Sequence, residues 1–316
     1  MINIKPNKYQ NTSIKNYLTE IHNDNGKFTS AIYLDIPCYH NLGDMLIYLG
    51  AKKMLHDLNV TVRYTESALS HNLKKIKRIL KQHPDTVILM QGGGNFGDLY
   101  SEAQTYRLNI IKKFKNEKII ILPQTIWYDN YNNYLNDKEI IKKAKNLTIY
   151  TRDERSFNYI SNITSIKINM MPDTAHWLWD DGINILNKKI NHKGTKKILI
   201  HRTDDELSTE SLKDDNYHKI FDWPNLESSK DKLFEKIIRF QQRKLPFLNN
   251  LFIKKWEKHM YSFCSKGVSE LNEANDITTS RLHGFILSYI MNKNVSVLDN
   301  RYGKNYSYIK KWINND

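Results

Sequence analysis

Thr86-Val87-Ile88-Leu89-Met90-Gln91-Gly92-Gly93-Gly94-Asn95-Phe96-Gly97-Asp98 is an apolar run that passes directly into three consecutive glycines. An apolar stretch without alternation is what a strand covered on both faces requires, and glycines at its exit permit a tight turn toward a helix. Strand, glycine turn and helix together form the unit of a parallel α/β sheet. The glycines also satisfy G-x-G-x-x-G, which in dinucleotide sites is followed about twenty positions on by an acid ending the second strand. Here the next strand, Lys118 to Leu122, ends in Pro123-Gln124-Thr125, and Glu117 precedes it. The glycines therefore read as a loop that brings backbone close to a ligand, with Asn95 and Asp98 offered to hydroxyl groups.

The same alternation extends in both directions. A leader helix is expected around Ile14 to Ile21, and Ala31 to Ile36 reads as a buried strand ending at Pro37. Tyr39-His40-Asn41-Leu42-Gly43-Asp44 then leads into a helix marked by Met45, Leu46, Ile47, Leu49 and Met54; Asp44 either caps it or bonds a sugar hydroxyl. Val60 to Tyr64 suits a strand and Leu69 to Gln82 a basic helix. Beyond the glycines come a helix at Asp137 to Ala144, a strand at Leu147 to Tyr150, and Thr151-Arg152-Asp153-Glu154-Arg155-Ser156. Arg152 either holds an anion or pairs with Asp153 or Glu154. After a strand at Lys167 to Met170, Asp173 is expected to cap a short helix containing Trp177 and Leu178, and His176 is either catalytic or structural.

Residues 183–194, rich in Asn, Lys and Gly, read as a linker between an N-terminal unit, 1–182, and a C-terminal unit, 195–316. The second unit opens with a strand, Lys197 to His201, which exits at Arg202. Residues 203–230 read as a long polar loop, and 236–263 interleave basic residues with Phe240, Phe247, Leu251, Phe252, Trp256 and Phe263. That pattern suits either a membrane-surface segment or a helical pair packed on the core, interrupted at Pro246. In Thr279-Ser280-Arg281-Leu282-His283-Gly284, a strand at 276–280 meets a helix at 285–291, so an anion there would meet the positive end of a helix dipole, Arg281 and His283. Strand-like alternation through Leu282 would aim both side chains at one ligand. The strand Asn294 to Leu298, the stretch Asp299-Asn300-Arg301-Tyr302-Gly303-Lys304 and a final helix with Tyr308, Ile309 and Trp312 complete the chain. The expected fold class is α/β, with two Rossmann-like doubly wound domains facing across a cleft.

The 316 residues, 40% apolar, suffice for a sizeable core. The net charge of +14 comes from lysines spread through every segment, without a finger or RNP-type module, so no nucleic-acid partner is expected. No segment approaches the roughly 18 apolar residues of a membrane span, and no secretion signal is visible, so a cytoplasmic protein is expected. Cys38 and Cys264 lack metal-ligand spacing and are expected to be reduced structural thiols; no metal is expected.

The joint set His40 to Asp44, Gly92 to Leu99, Arg152 to Ser156, Pro172 to His176, Ser280 to Gly284 and Asp299 to Lys304 with Trp312 resembles the polysaccharide pyruvyl transferases, in family order. The resemblance implies a GT-B-like fold and transfer of a pyruvyl group from phosphoenolpyruvate onto two sugar hydroxyls as a cyclic ketal, with no cofactor beyond that co-substrate. Within it, His283 and Arg281 are the catalytic candidates, with His283 moving a proton. Arg152, Arg202, Arg281 and Lys304 fall to the donor, because a phosphate and a carboxylate call for several cations and Arg can bind either bidentately. Asp44, Asn95, Asp98, Asp173 and His176 fall to the glycan acceptor. A location at the inner face of the membrane is a further expectation. A nucleotide-sugar glycosyltransferase of the same architecture and a non-catalytic glycan-binding module are the alternatives.

Overall fold

The computed structural model describes residues 1–186, 196–203, 216–301 and 303–314. Residues 187–194 of the expected linker, 204–215 of the expected loop and Tyr302 lie outside them. In chain order the elements are β1 (Ile2–Ile4), α1 (Lys8–Asn25), β2 (Ser30–Leu34), α2 (Leu42–Asp57), β3 (Thr61–Glu66), α3 (Leu73–Gln82), β4 (Val87–Met90) and β5 (Gly93–Gly97). Next come α4 (Ser101–Lys113), β6 (Ile119–Trp127), α5 (Tyr131–Ile141), β7 (Leu147–Thr151), α6 (Glu154–Ile160), β8 (Lys167–Met170) and α7 (Asp181–Leu186). The chain continues with β9 (Lys196–Ile200), β10 (Lys219–Phe221), α8 (Ser229–Lys244), α9 (Asn249–Asn272), β11 (Ala274–Thr279), α10 (Leu282–Ile290), β12 (Asn294–Val297) and α11 (Lys304–Trp312).

These form two sheets with helices on their faces. The first runs β3-β2-β4-β6-β7-β8, all parallel, with β5 added beside the end of β6. Its strands are apolar on both sides because both sides are covered. In β2, Ala31 and Tyr33 enter one core while Ile32 and Leu34 enter the other, and Val87 and Leu89 of β4 oppose Ile88 and Met90 in the same way. The second sheet runs β1-β12-β11-β9-β10, parallel except for β1. One apolar core extends from β2 and α2 through α9, β11 and α10, so the two sheets share buried side chains.

Each sheet reverses its strand order once near the middle, between β2 and β4 in the first and between β9 and β11 in the second. Strand exits flanking such a reversal leave a crevice where ligands of open α/β sheets bind. The exits there are Asp35 to Asp44, Gln91 to Asn95, Arg202, and Ser280 to His283.

Several expectations are revised. The opening segment supplies β1, which pairs with β12, so residues 2–4 complete the second sheet. The glycine stretch is a strand, and β6 continues through Pro123 to receive it. Gly97, at φ 122°, lies so close to β6 that a Cβ would overlap the Trp127 carbonyl oxygen; the close approach that demands glycine here is to protein backbone, not to a ligand. Residues 183–186 of the expected linker belong to α7. The described part of 203–230 contains β10, a 3-10 turn at Trp223–Leu226 closed by a capping box from Asp222, and the start of α8. Phe252, Trp256 and Phe263 are buried, and α8 and α9 are anchored on the first sheet. Trp256 Nε1 donates to the Pro37 carbonyl at 2.7 Å, and Asn249 Nδ2 to that of Thr65 at 2.8 Å.

Substituting Gly97 by Ala forces an L side chain into both an unfavourable backbone region and the β6 carbonyl. The expected loss is at least about 1–3 kcal/mol, read as a lower urea midpoint.

Candidate active site

A cleft of about 510 Å³ opens between the two sets of strand exits. Arg152, Arg202, Arg239, Arg281, His283 and Lys304 supply its basic lining, and the buried Asp35 and the half-buried Asp44 an acidic side. Both sheets contribute, so the basic groups converge only in the folded chain.

At its base is the Asp173 carboxylate, 1% exposed, which does not reach the cleft surface. Oδ2 accepts from Arg152 Nη1 at 2.6 Å and lies 3.2 Å from His283 Nε2, while Oδ1 accepts the Ala175 N–H at 2.9 Å. Burial alone would raise its pKa. His283, the hydrogen bond from that ring, Arg152 and the Ala175 N–H outweigh burial and hold it well below the usual carboxylate range. Asp173 is a cap, as its spacing implies, and it also joins an Arg of the first sheet to a His of the second. Arg152 is therefore not paired with Asp153 or Glu154; Asp153 caps α6 by accepting the Ser156 N–H at 2.8 Å.

His283 is held from its other side by α2. A Cβ on Gly43 would collide with the His283 ring, so only glycine lets the start of α2 lie against it. The α2 cap is Asn41, whose Oδ1 accepts the N–H groups of Gly43 and Asp44. That leaves the Asp44 carboxylate turned to the cleft, where Tyr39 OH donates to it at 3.0 Å. Burial raises the Asp44 pKa, against His283, Tyr39 and Arg152, which lower it. Asp44 is thereby placed to hold a proton or a hydroxyl.

Arg281 caps α10, and the helix begins at Leu282, so strand-like alternation does not continue through that residue. Its Nε donates to Asp222 Oδ1 and its Nη2 to Oδ2 at 2.6 Å. The bidentate partner Asp222 also caps the Trp223 turn. Arg281 lines the cleft with part of its charge balanced by this carboxylate. Asn95 Oδ1 accepts from the buried Arg107 Nη2 at 2.7 Å, which fixes the amide at the cleft wall.

Besides Asp173, two further expected residues lie outside the cleft lining. Asp98 accepts the N–H groups of Asp129 and Asn130 and the Asn133 amide, closing the turn into α5 away from the cleft lining. His176 is buried behind Asp173 and stacked on Tyr308 with centroids 6.0 Å apart. Burial lowers its pKa to about 4, so it is a neutral packing ring at ordinary pH.

Asp35, Arg239 and Trp223 line the cleft without having been singled out as site residues. Asp35 had a faint signal, an acid directly at a strand end; its φ of 64° and the Arg107 ion pair at 3.3 Å are tertiary facts. Burial raises its pKa to about 7 against the pull of Arg107. Arg239 lies in α8, far along the sequence, and donates to the Cys38 carbonyl at 3.2 Å.

Residues 41–302, most of the chain, match the family described as Polysaccharide pyruvyl transferase. The chain belongs to that family. Among similar proteins, "Putative pyruvyl transferase EpsO" of Bacillus subtilis (strain 168) is 31% identical over 319 residues, covering 97% of this chain and 92% of the relative. "Pyruvyl transferase 1" of Schizosaccharomyces pombe is 25% identical, covering 89% and 69% respectively. A crystal structure of an uncharacterized Klebsiella pneumoniae protein superposes with a TM-score of 0.59 at 20% identity, covering 96% of this pyruvyl transferase and 95% of that chain. This last likeness concerns the fold alone. The protein is thus an enzyme of the pyruvyl transferase class, and polysaccharide pyruvylation is its general activity.

Asp173, with its depressed pKa, contributes stability that is present above the ordinary carboxylate value and is lost as pH falls below it toward the folded value. Asp173→Asn should cost on the order of 3–5 kcal/mol near neutrality by stranding Arg152. Urea titrations between pH 6 and pH 3 should show a smaller acid loss in the variant than in the wild type; equal slopes would remove Asp173 from the acid transition.

Proposed function

We propose that the donor is phosphoenolpyruvate and that the product is a pyruvate ketal on two hydroxyls of one sugar, with the two sheets acting as GT-B-like halves. The convergence of Arg152, Arg202, Arg281, His283 and Lys304 at one cleft carries this reading. A phosphate and a carboxylate on one small donor need such a set, and guanidinium forks match both groups.

In the proposed sequence a sugar hydroxyl oxygen adds to the enol carbon while His283 delivers a proton to the methylene, which becomes the methyl group. The hydroxyl proton passes to a base, for which Asp44 is placed. The second hydroxyl then forms the other C–O bond, returning its proton to His283, as phosphate departs, closing the ketal. Asp173 does not touch the substrates in this scheme. It positions Arg152 and His283 relative to one another, so donor anchoring and proton delivery share one support. Asn95 and Asp44 serve the acceptor.

Incubation with phosphoenolpyruvate and candidate glycans should give phosphate release together with a pyruvyl mass increment on the glycan. UDP- or GDP-sugar consumption in place of phosphoenolpyruvate would overturn the donor assignment. His283→Ala should reduce turnover by about 10²–10⁴-fold while leaving the circular dichroism spectrum intact; wild-type turnover in the folded variant would exclude His283 from proton transfer.

The same reading extends to the surface that meets the acceptor's environment. Among the described residues no helix is long and apolar enough to cross a membrane. Yet Leu233, Ile237 and Phe240 form an exposed i, i+4, i+7 stripe on α8, continued by Phe247 and Leu251, with Phe247 72% exposed. Lys232, Lys236, Arg243, Lys244, Lys254 and Lys255, all exposed, flank it. Apolar residues ringed by cations suit an anionic lipid surface, which would bring the cleft to a lipid-linked glycan. The protein should float with vesicles containing phosphatidylglycerol and not with neutral ones. The double variant Phe240→Asp and Phe247→Asp should lose at least half of the floated fraction; equal flotation would reject the contact.

A further inference from the structure

His40 opens the motif that contains Asn41, Gly43 and Asp44, yet its ring points away from the cleft, toward α8 and α9. Its Nε2 lies 2.7 Å from His259 Nε2 of α9, and His259 Nε2 lies 3.8 Å from Asp231 Oδ1 of α8. The three ligand atoms fall within 4.8 Å of one another. From this convergence we propose that His40, His259 and Asp231 form a binding site for a divalent transition-metal ion of the zinc type, which clamps the β2–α2 loop to the α8–α9 pair.

The surroundings fit that use. Glu235 Oε2 lies 2.7 Å from His40 Nδ1 and also accepts the His40 backbone N–H at 3.0 Å. A carboxylate on the far nitrogen of a histidine fixes the tautomer that leaves Nε2 bare and raises its basicity, an arrangement that supports metal-ligating histidines. Asp231 divides its two oxygens. Oδ2 accepts from Ser228 Oγ at 2.6 Å and Lys266 Nζ at 2.7 Å, while Oδ1 is the atom directed at His259. Around the rings, Trp256 and Phe263 pack on His40 at centroid distances of 5.4 and 4.9 Å, and Phe234 packs on His259 at 4.9 Å. This apolar wall limits water and strengthens the electrostatics at the ion.

Two imidazoles and one carboxylate suit zinc, with Zn–N near 2.0–2.1 Å and a fourth position for water. Both nitrogens reach those distances if their 2.7 Å separation widens by roughly half an ångström. In the metal-free pair, His259 Nε2–H donates to the bare His40 Nε2. Occupancy moves that proton to His259 Nδ1, so two neutral rings bind the ion without net proton release. No spacing rule detects this set, because the two histidines stand 219 residues apart. The clamp holds the loop whose next residues, Asn41, Gly43 and Asp44, line the cleft. It is independent of the donor assignment.

Protein freed of metal with EDTA and dialysed should bind one Zn²⁺ per chain by calorimetry, with a raised melting temperature. Co²⁺ should give the intense visible bands of a four-coordinate site. His259→Gln should weaken Zn²⁺ binding at least about tenfold, and Glu235→Gln, which leaves all three ligands, about 10–100-fold. Melting curves in EDTA establish that each variant is folded; His56→Ala, at an exposed histidine, is the control and should bind as wild type. Absence of saturable Zn²⁺ binding by the wild type would overturn the proposal. So would equal binding by folded His259→Gln, or loss of binding in His56→Ala.

Discussion

Everything at the cleft depends on a single buried carboxylate. Asp173 is costly to place in an apolar interior, and it remains ionised only because Arg152, His283 and a backbone N–H surround it. Arg152 stands at the exit of β7 and His283 in the first turn of α10, so the electrostatic requirement of one residue fixes the relation between two sheets. Loss of either partner leaves a charge in the core without compensation. Arg152 and His283 both line the cleft, which makes stability and site geometry one constraint here.

That constraint is reinforced by close packing. Gly43 permits α2 to lie against the His283 ring, and Leu42 beside it occupies the space that a side chain on Gly267 of α9 would need. The start of α2 therefore touches His283 of α10 on one side and α9 on another. Since Asp44 follows directly, its raised pKa is a consequence of where α2 is docked as much as of local sequence. Trp312 Nε1 adds a further tie by donating to the Arg152 carbonyl at 2.8 Å, so α11 also supports Arg152 at the cleft.

The sequence was informative wherever local pattern determines local structure. Strand-type runs located β2, β4, β7, β9, β11 and β12, and the exits of β2, β7, β9 and β11 located Asp44, Arg152, Arg202 and Arg281. Asp173 was legible as a cap. What could not be read were partners chosen by tertiary contact: the local sequence offers Arg152 its neighbour Asp153 just as readily, and nothing in the chain signals that Arg281 meets Asp222 or that Asn95 meets Arg107. Within the glycine stretch Gly94 and Asn95 do line the cleft, whereas Gly97 approaches another strand, and both kinds of backbone approach call for the same residue. Asp98 and His176 carry polar side chains in motif positions, yet a turn and a packed ring satisfy those positions. The apolar stripe on α8 was visible only as composition; which of its aromatic residues face outward depends on where α9 docks.

Strand β1 has a consequence for how the molecule is assembled. Among the described strands it precedes all the others, but its ladder partner β12 follows them all, with Ile2 opposite Val297. During synthesis the first sheet can gather its parallel strands in order, while β1 waits with an unpaired edge for nearly the entire chain. Closure of the second sheet is therefore a late, long-range event, and the segment following β1 must travel with α1 until that event. Of the described ladders this one closes the longest stretch of chain.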